Sequence, residues 1–303
     1  MIYKRIEIYT WWKCNHKCIF CNEYPNIIKW WNTDIEFHDI LKKLIKFKKL
    51  WYNHVTFLWW EPFIHKVLNK ALISAKKLNY TTLVTTNANI LQYESGALEN
   101  LKYIDELIIS IHSINQINQK KISWSNSFID FKKVFKNIRA NWNGKMLKAN
   151  IVANKLNISE LNEILEFLYD EKIMEISITY PDFNIKTYWE EYTKKYITPR
   201  YSEVIERVMP FLMKHMNDDM NLKLAEFPIC VIKEKGLYKM SDDYCYWNRL
   251  KVSITWELQD RSEISPRRRN MIGECDNCKY KDICKWVAIN YDKFYWTKEF
   301  VWL

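Results

Sequence analysis

Short apolar runs alternate with amphipathic stretches along the chain as far as Pro181. The apolar, β-branched runs predict strands at residues 3–9, 54–58, 81–85, 106–112, 147–153 and 174–179. Apolar positions three and four apart predict helices at residues 35–50, 64–78, 128–140 and 159–169, the last with Ser159 as its N-cap. About six such β/α units predict a parallel sheet with crossover helices, either open or curved into a partial barrel.

The pattern changes after Pro181, where one more helix (202–216) and one more strand (222–227) precede a tail of hairpin-like segments. We therefore predict two domains, a core of residues 1–226 and a small cysteine-containing domain of residues 227–303. Residues 115–127, which lie within the core, are predicted to form a polar connection.

Composition excludes some classes of protein. Charged residues make up 27% and hydrophobic residues 48% of the chain, an ordinary globular balance. No apolar run approaches the roughly 18 residues that span a membrane, and no signal-peptide core is present, so a cytoplasmic protein is expected. The net charge of +10 is carried mostly by lysines at helix-like spacing, which indicates a solvated surface rather than a nucleic-acid site.

Glycine and tryptophan occur in abnormal numbers. The chain has 4 Gly and 15 Trp, whereas the usual glycine share of about 7% would give roughly 21 residues. Tryptophan doublets occur at positions 11–12, 30–31 and 59–60, and single tryptophans occupy turn-like positions 142, 247 and 256. Our hypothesis is that many of these tryptophans stand where the functional protein has glycine, through a UGA codon read as glycine in its source.

Three cysteines follow the first predicted strand at the spacing Cys14-x3-Cys18-x2-Cys21. In a cytoplasmic protein such a group indicates metal or redox chemistry rather than disulfides. Three thiolates in one loop can hold a [4Fe–4S] cluster and leave one iron open to another ligand. A zinc site completed by His16 is the alternative, although this spacing is unusual for zinc.

The segment 14–21, CNHKCIFC, with Phe20 just before the third cysteine, resembles the signature of the radical SAM superfamily. The resemblance extends over about residues 3–226 and implies a partial (β/α)6 TIM-type barrel, an α/β fold. It also implies an enzyme in which the cluster binds S-adenosylmethionine (SAM) and cleaves it reductively. The resulting 5′-deoxyadenosyl radical abstracts a hydrogen from a substrate.

Further positions match that family at the ends of the predicted strands. The family's Gly-Gly-Glu-Pro motif corresponds here to residues 59–62, Trp-Trp-Glu-Pro. The resemblance implies SAM-binding roles for Phe20, Trp59, Trp60, Glu61, Pro62, Asn87, Ser110, His112 and Asn150. A position that is normally glycine in the family corresponds to Trp124. Two indoles at 59 and 60 should crowd the SAM pocket, whereas two glycines would leave the backbone accessible.

The tail carries a second group, Cys275-x2-Cys278-x5-Cys284, preceded by Cys230 and Cys245. Beside a radical SAM core, this group resembles the auxiliary-cluster regions called SPASM or Twitch. The cysteine that the full SPASM pattern has four residues after that run is Ala288 here, so one auxiliary [4Fe–4S] cluster is expected. Its fourth ligand is predicted to be Cys230, with Cys245 as the alternative, and zinc is the alternative metal.

Three functions follow from the resemblance. Hydrogen abstraction from a peptide, as in maturation enzymes, is the first hypothesis, and a small-molecule reaction of cofactor biosynthesis is the second. A non-catalytic iron–sulfur or zinc regulator is the third. The expected partners are an electron donor such as flavodoxin or ferredoxin and a peptide or small-molecule substrate. Neither a membrane nor a nucleic acid is an expected partner.

Overall fold

The fold is described from a computed structural model. It describes residues 3–9, 13–21, 36–58, 60–93, 96–181, 192–215, 217–234, 236–237, 240, 249–254, 260–261, 269–281, 284, 287–288, 291–295 and 300. Predictions that concern Trp59, Cys245 and the tryptophans at 11–12, 30–31, 247 and 256 lie outside these residues.

Nine strands of the described chain form one sheet. They are β1 (Tyr3–Tyr9), β2 (His54–Leu58), β3 (Thr81–Thr86), β4 (Glu106–Ser110), β5 (Met146–Val152), β6 (Glu175–Thr179), β7 (Asn221–Ala225), β8 (Arg249–Ile254) and β9 (Asp260–Arg261). Their order is β7-β6-β5-β4-β3-β2-β1-β8-β9, and every neighbouring pair is parallel except β8 and β9. This confirms the predicted α/β fold with a parallel sheet, and it agrees with a partial barrel.

Eight α-helices are described, and five of them lie close to helices that the sequence predicts. They are α1 (Phe37–Lys49), α2 (Leu68–Lys77), α3 (Gln116–Ser123), α4 (Phe131–Asn141), α5 (Leu161–Asp170), α6 (Tyr201–His215), α7 (Ile229–Glu234) and α8 (Tyr291–Phe294). Short 3₁₀ turns at Pro62–Ile64 and Ile158–Glu160 precede α2 and α5. The predicted Ser159 N-cap is therefore wrong, because Ser159 lies inside one of these turns.

Helix α3 corrects the prediction of a polar connection at residues 115–127. Asn115 caps this helix, since its Oδ1 accepts hydrogen bonds from the backbone N–H groups of Ile117 (2.9 Å) and Asn118 (3.2 Å). Only Gln119, Ile122 and Ser123 of the helix are buried, so its hydrophobic period is weak. The helix is held at one end by this cap and on one side by contacts with the loop after β1, which sequence periodicity does not report.

The two faces of the sheet differ in chemistry. On β1 and β2, Ile6, Ile8, Val55 and Phe57 are buried in the core. The alternate residues of the strands point to the other face, and many of them are polar, for example Glu7, Thr56, Ser110, Asn150 and Ser177. The concave face of the sheet is therefore suited to polar ligands, while the convex face carries the folding core.

The C-terminal region contacts the core in two places. Strand β8 pairs with β1 over six residues, and β8 and β9 form a hairpin whose tip lies outside the described residues. In addition, Tyr201 of α6 stacks on Tyr291 of α8 at 4.7 Å between ring centroids, and the Tyr201 hydroxyl accepts a hydrogen bond from the Ala288 N–H at 3.0 Å. The boundary at residue 226 stays a prediction. No helix in the described part of the chain is long and apolar enough to span a membrane.

Candidate functional site

The loop after β1 and the carboxyl ends of β2, β3 and β4 enclose one cavity of about 210 Å³. Cys14, Cys18 and Cys21 all line it. The loop is fixed by a turn in which the Cys21 N–H donates to the Cys18 carbonyl at 2.9 Å. The His16 N–H donates to the Cys14 sulfur at 3.4 Å. The three cysteines that the sequence singled out are thus brought together around a single space.

Burial and mutual repulsion disfavour the thiolate form of these cysteines. Burial, followed by the nearby Glu61 carboxylate, raises the pKa of Cys14 to about 12. Burial, followed by the neighbouring Cys14 and Cys21, raises the pKa of Cys18 well above its usual value. A positively charged metal group reverses this balance, because it stabilises thiolates directly. The donor set therefore fits a cationic cluster that would be held by all three sulfurs.

The zinc alternative has less support from the geometry. Among the described residues, no three His, Cys, Asp or Glu side chains converge closely enough to hold one metal ion. A single tetrahedral zinc with metal–sulfur bonds of about 2.3 Å needs sulfurs roughly 3.8 Å apart. A polynuclear cluster binds each thiolate at a different iron and therefore needs more widely spaced sulfurs.

Glu61 braces the loops at the ends of β2 and β3. Its carboxylate is buried and accepts hydrogen bonds from the Thr86 hydroxyl (2.7 Å), the Asn87 N–H (2.7 Å) and the Phe63 N–H (3.1 Å). Burial raises the pKa of Glu61 to about 7, and the three hydrogen bonds oppose that rise. Pro62 begins the 3₁₀ turn that follows. In this structure Glu61 supports the loops that line the cavity and does not itself line it.

Asn87 connects the two loops at the mouth of the cavity. Its side-chain amide donates to the Asn15 Oδ1 at 2.7 Å and lies 3.8 Å from the Cys14 sulfur. Its backbone N–H is the one held by Glu61. Asn87 therefore links the cysteine loop to the end of β3, and its SAM-binding role stays a prediction.

His112 is fixed in one tautomer by the backbone. Its Nδ1 accepts a hydrogen bond from the Val152 N–H at 3.1 Å, which leaves the proton on Nε2. Burial, together with nearby His16, lowers the pKa of His112 to about 3, so the ring is neutral. The Phe20 ring packs edge-on against it at 4.7 Å, and both side chains line the cavity. Phe20 and His112, each predicted to bind SAM, therefore lie together in the wall of the cavity.

Trp60 also lines the cavity, and its backbone has φ of +54°. This left-handed conformation is open to glycine and costs an L-residue with a Cβ about 1–2 kcal/mol. The cavity is smaller than the roughly 300–1,000 Å³ of ordinary ligand pockets. A crowded cavity is the expected consequence of reading position 60 as tryptophan.

Two other described tryptophans also have a positive φ. Trp51 (φ +66°) follows α1 and Trp124 (φ +45°) follows α3, and both are mostly exposed. The Trp51 and Tyr52 N–H groups donate hydrogen bonds to the Lys48 and Phe47 carbonyls, respectively. These bonds close the C-terminal end of α1, and glycine is the usual residue at such a left-handed position. Three of the four described tryptophans thus occupy left-handed positions.

Trp142 does not have a positive φ, and it corrects the hypothesis that position 142 is a turn position meant for glycine. It has φ of −134°, its Nε1 donates to the Ile104 carbonyl at 2.8 Å, and it packs against the core. An added Cβ on Gly144 would stand 2.2 Å from the Trp142 ring. Position 142 uses the indole and does not require glycine.

The structure adds one wall of the cavity that the sequence interpretation missed. Gln119, Ile122 and Ser123 of α3 line it, together with Ile129 and Phe131. The Lys17 and Ile19 N–H groups donate to the Ser123 and Ile122 carbonyls at 2.8 and 2.9 Å. The Asn115 cap was the one local signal for this helix.

Two predicted SAM-binding residues lie on neighbouring strands. Ser110 on β4 lines the cavity and is in register with Asn150 on β5. The Asn150 Oδ1 accepts a hydrogen bond from the Thr179 hydroxyl at 2.8 Å, so Asn150 lies one strand further from the cysteines than Ser110.

The cysteines of the C-terminal region also approach one another. Burial, then the neighbouring Cys284, Cys278 and Cys275, raises the pKa of Cys230 to about 12. The Ile229 N–H donates to the Cys284 sulfur at 3.4 Å, which brings α7 to that cysteine. The seven described cysteines are not joined in disulfides. Cys245 lies outside the described residues.

A family model identifies the class. The model of the radical SAM superfamily matches residues 9–168, more than half of the chain. The chain therefore belongs to the radical SAM superfamily, which confirms the resemblance drawn from residues 14–21. Membership implies a [4Fe–4S] cluster and SAM as cofactors.

Two curated proteins are similar to this chain over about half of its length. One, from Lacinutrix mariniflava, is named S-adenosylmethionine-dependent nucleotide dehydratase and is 28% identical over 170 residues, 51% of this chain and 34% of that protein. The other, from Clostridium botulinum, is named GTP 3′,8-cyclase and is 28% identical over 161 residues, 50% of this chain and 49% of that protein. The match thus spans half or less of each relative's length.

A solved structure shares the fold over nearly the whole chain. It is native anSMEcpe with bound AdoMet and the Kp18Cys peptide, with a TM-score of 0.64, 13% identity, and coverage of 98% of this chain and 95% of that one. At this identity the similarity concerns the fold alone. It includes the C-terminal region, which the family model does not reach.

Proposed function

We propose that this protein is an enzyme that cleaves SAM reductively and uses the resulting radical to abstract a hydrogen from a substrate. The observation that carries the proposal is the convergence of Cys14, Cys18 and Cys21 on one cavity in a chain of this family. When bound, the cluster and SAM supply the radical chemistry. The chain's own residues bind, orient and shield these groups.

Each supporting residue has a task that its contacts suit. Glu61 holds the ends of β2 and β3 together, and Asn87 ties them to the cysteine loop. His112 presents its Nε2–H as a hydrogen-bond donor, because its Nδ1 is engaged by the backbone. Ser110 adds a hydroxyl to the wall, and Phe20 closes the side behind His112.

The direct test is anaerobic incubation of the reconstituted protein with SAM and dithionite. We expect 5′-deoxyadenosine, detected by liquid chromatography. Cys14→Ala, Cys18→Ala and Cys21→Ala should each abolish it, because each removes one of three cluster thiolates. Full turnover by any of the three would refute the assignment. No product from the protein with glycine at positions 59 and 60 would favour a non-catalytic iron–sulfur regulator.

A peptide is the first proposed substrate, and a small anionic molecule is the second. The second is favoured by a polar row on the concave face, formed by Ser110, Asn150, Ser177 and Lys223 on adjacent strands. The row runs from the cavity to a lysine over about 14 Å, given strands roughly 4.8 Å apart. The two curated relatives are named for nucleotide substrates, and nucleotides carry such anionic groups.

We also propose one auxiliary [4Fe–4S] cluster in residues 227–303. The mutual influence of Cys230, Cys275, Cys278 and Cys284 on the pKa of Cys230 supports this ligand set. Their approach also supports treating this region as a functional unit beside the core of residues 1–226. An iron content near eight atoms per chain, twice that of one four-iron cluster, is the expected measurement.

A further inference from the structure

Helix α3 forms one wall of the cysteine cavity. Its inner residues Gln119, Ile122 and Ser123 line the cavity, and Ile117, Lys120 and Lys121 on it are exposed. A helix with its side chains is about 10–12 Å across. The outer face of α3 is therefore one helix thickness away from the space that the three cysteines surround.

The cysteine loop extends the same surface. The Lys17 and Ile19 N–H groups bond to the Ser123 and Ile122 carbonyls, so the residues that flank Cys18 lie against the end of α3. Lys17 is exposed. We call Lys17, Lys120 and Lys121 the cluster-side basic patch.

Among the described residues, no ion pair compensates the charge of this patch. Segments 13–21 and 114–129 contain four lysines and no Asp or Glu. Within the described part of the chain, none of the three patch lysines forms an ion pair. The Glu160 carboxylate, the nearest acid bonded to α3, is buried and engaged by Ser113 and Asn118. A net positive surface therefore lies on the outer side of this wall, beside the cysteine loop.

We propose that the cluster-side basic patch docks an acidic protein that carries a one-electron donor. The proposal rests on the proposed function, because only a redox cluster behind α3 needs such a partner. One electron leaves the partner's cofactor and one is gained at the group held by the cysteines, and no bond forms or breaks in that step. Unpaired lysines attract an acidic surface, and the exposed Ile117 beside them adds an apolar contact.

The test compares charge reversals with a matched control. The test variant is Lys120→Glu with Lys121→Glu. The control is Lys49→Glu with Lys77→Glu, which makes the same charge change at exposed lysines ending α1 and α2, just before β2 and β3 begin. These control positions lie near the amino ends of the parallel strands, whereas the cysteine loop follows the carboxyl end of β1. The probe is a bacterial flavodoxin, titrated calorimetrically into the anaerobically reconstituted enzyme.

We expect wild type and the control to bind flavodoxin at low salt, and the test variant to bind at least about tenfold more weakly. The difference should shrink at about 0.5 M salt, where charges are screened within a few ångströms. Equal binding by test and control variants, or no binding by wild type at low salt, would overturn the proposal. Because Lys120 and Lys121 lie in the last turn of α3, Lys120→Gln with Lys121→Gln serves as a milder variant with a smaller expected loss.

Dithionite separates this proposal from the proposed function. A small chemical reductant needs no docking surface, so dithionite-driven SAM cleavage should be unchanged in the test variant. Loss of that activity together with unchanged flavodoxin binding would refute docking. If wild type itself yields no 5′-deoxyadenosine with dithionite, the proposed function fails, and the binding titration still reports on the patch.

Discussion

At the scale of single residues, the backbone distinguishes two kinds of tryptophan. Trp51, Trp60 and Trp124 have positive φ, whereas Trp142 has an ordinary extended conformation with its indole hydrogen-bonded. A codon read as glycine explains the first three and leaves Trp142 as a true tryptophan. The hypothesis stays a prediction, and mass spectrometry of the protein from its source checks it. Tryptophan masses at positions 51 and 60 would refute it.

Trp51→Gly should stabilise the recombinant protein. Trp51 is 84% exposed, so little apolar contact is lost, and the left-handed conformation no longer carries a Cβ. The expected gain in the free energy of unfolding is about 1 kcal/mol, measured by urea denaturation. Trp142→Gly is the control and should instead destabilise the protein by about 2 kcal/mol or more. Equal changes in stability at the two positions would contradict the distinction between Trp51 and Trp142.

Trp60→Gly should increase the affinity for SAM. Removing the indole enlarges a cavity of about 210 Å³ and gives a ligand access to the backbone at the end of β2. We expect SAM to bind at least about tenfold more tightly to the reconstituted variant, measured by equilibrium dialysis. Trp51→Gly, remote from the cavity, should leave SAM affinity unchanged. A gain in both variants would point to general stabilisation instead.

Glu61→Gln should change how stability depends on pH. The carboxyl ionises near pH 4.5 when unfolded and near 7 when folded. Between these values the folded protein holds a proton that the unfolded chain has lost, so this group's contribution to the free energy of unfolding falls as pH rises. The contribution amounts to about 3 kcal/mol over that window.

The measurement is the difference between wild-type and variant stability from pH 4.5 to 7, made by denaturation of the cluster-free protein. His16 and His112, whose pKa values are lowered by burial, add an opposite slope to both proteins. Their effect cancels in the difference. Glutamine also cannot accept all three hydrogen bonds, which adds a constant loss of about 1–3 kcal/mol. A difference that does not vary with pH would show that Glu61 is ionised throughout.

At the scale of elements, the two cysteine groups are brought together in different ways. The first group sits on one loop that is fixed between β1 and α3. The second is spread over α7 and the segment around Cys275, which a hydrogen bond from Ile229 to Cys284 brings together. The first group is therefore preorganised by nearby residues, and the second depends on long-range packing.

Cys230→Ser and Cys245→Ser should differ in iron content. If Cys230 is the fourth ligand of the auxiliary cluster, its serine variant should lose up to about four irons per chain after reconstitution, while Cys245→Ser keeps them. Iron and sulfide analysis measures both. Neither variant should lose the cluster held by the first group. Equal iron in the two variants would exclude a single fourth ligand among them.

At the scale of the whole molecule, the C-terminal region completes the sheet. Strand β8 covers the edge of β1, and a cluster of buried aromatic rings that includes Tyr180, Tyr201 and Tyr291 joins that region to the core. An uncovered parallel strand exposes unpaired backbone groups and invites association with other chains. The cysteine loop directly follows β1, so the pairing of β1 with β8 also matters to the site.

A chain of residues 1–226 should therefore be less stable and more prone to aggregate than the full chain. Loss of β8 exposes the edge of β1, and loss of residues 291 and 300 exposes the Tyr201 ring. We expect a lower Tm and larger species in size-exclusion chromatography. The full chain with Cys275→Ser and Cys278→Ser is the control, since it lacks two proposed ligands of the auxiliary cluster and keeps β8. A truncated chain that is as stable and monomeric as this control would contradict the argument.

The sequence alone determined the parallel α/β fold, the class of protein and the cysteines that converge on the cavity. These features depend on hydrophobic period and on ligand spacing within one loop, both of which are local. It also singled out Glu61 and Asn87, although not how they act. Only the tertiary structure decided that Glu61 braces two loops, that α3 forms one wall of the cavity, and that Trp142 differs from Trp51, Trp60 and Trp124. Those properties depend on φ angles, burial and contacts between strand ends far apart in sequence, which residue order does not encode locally.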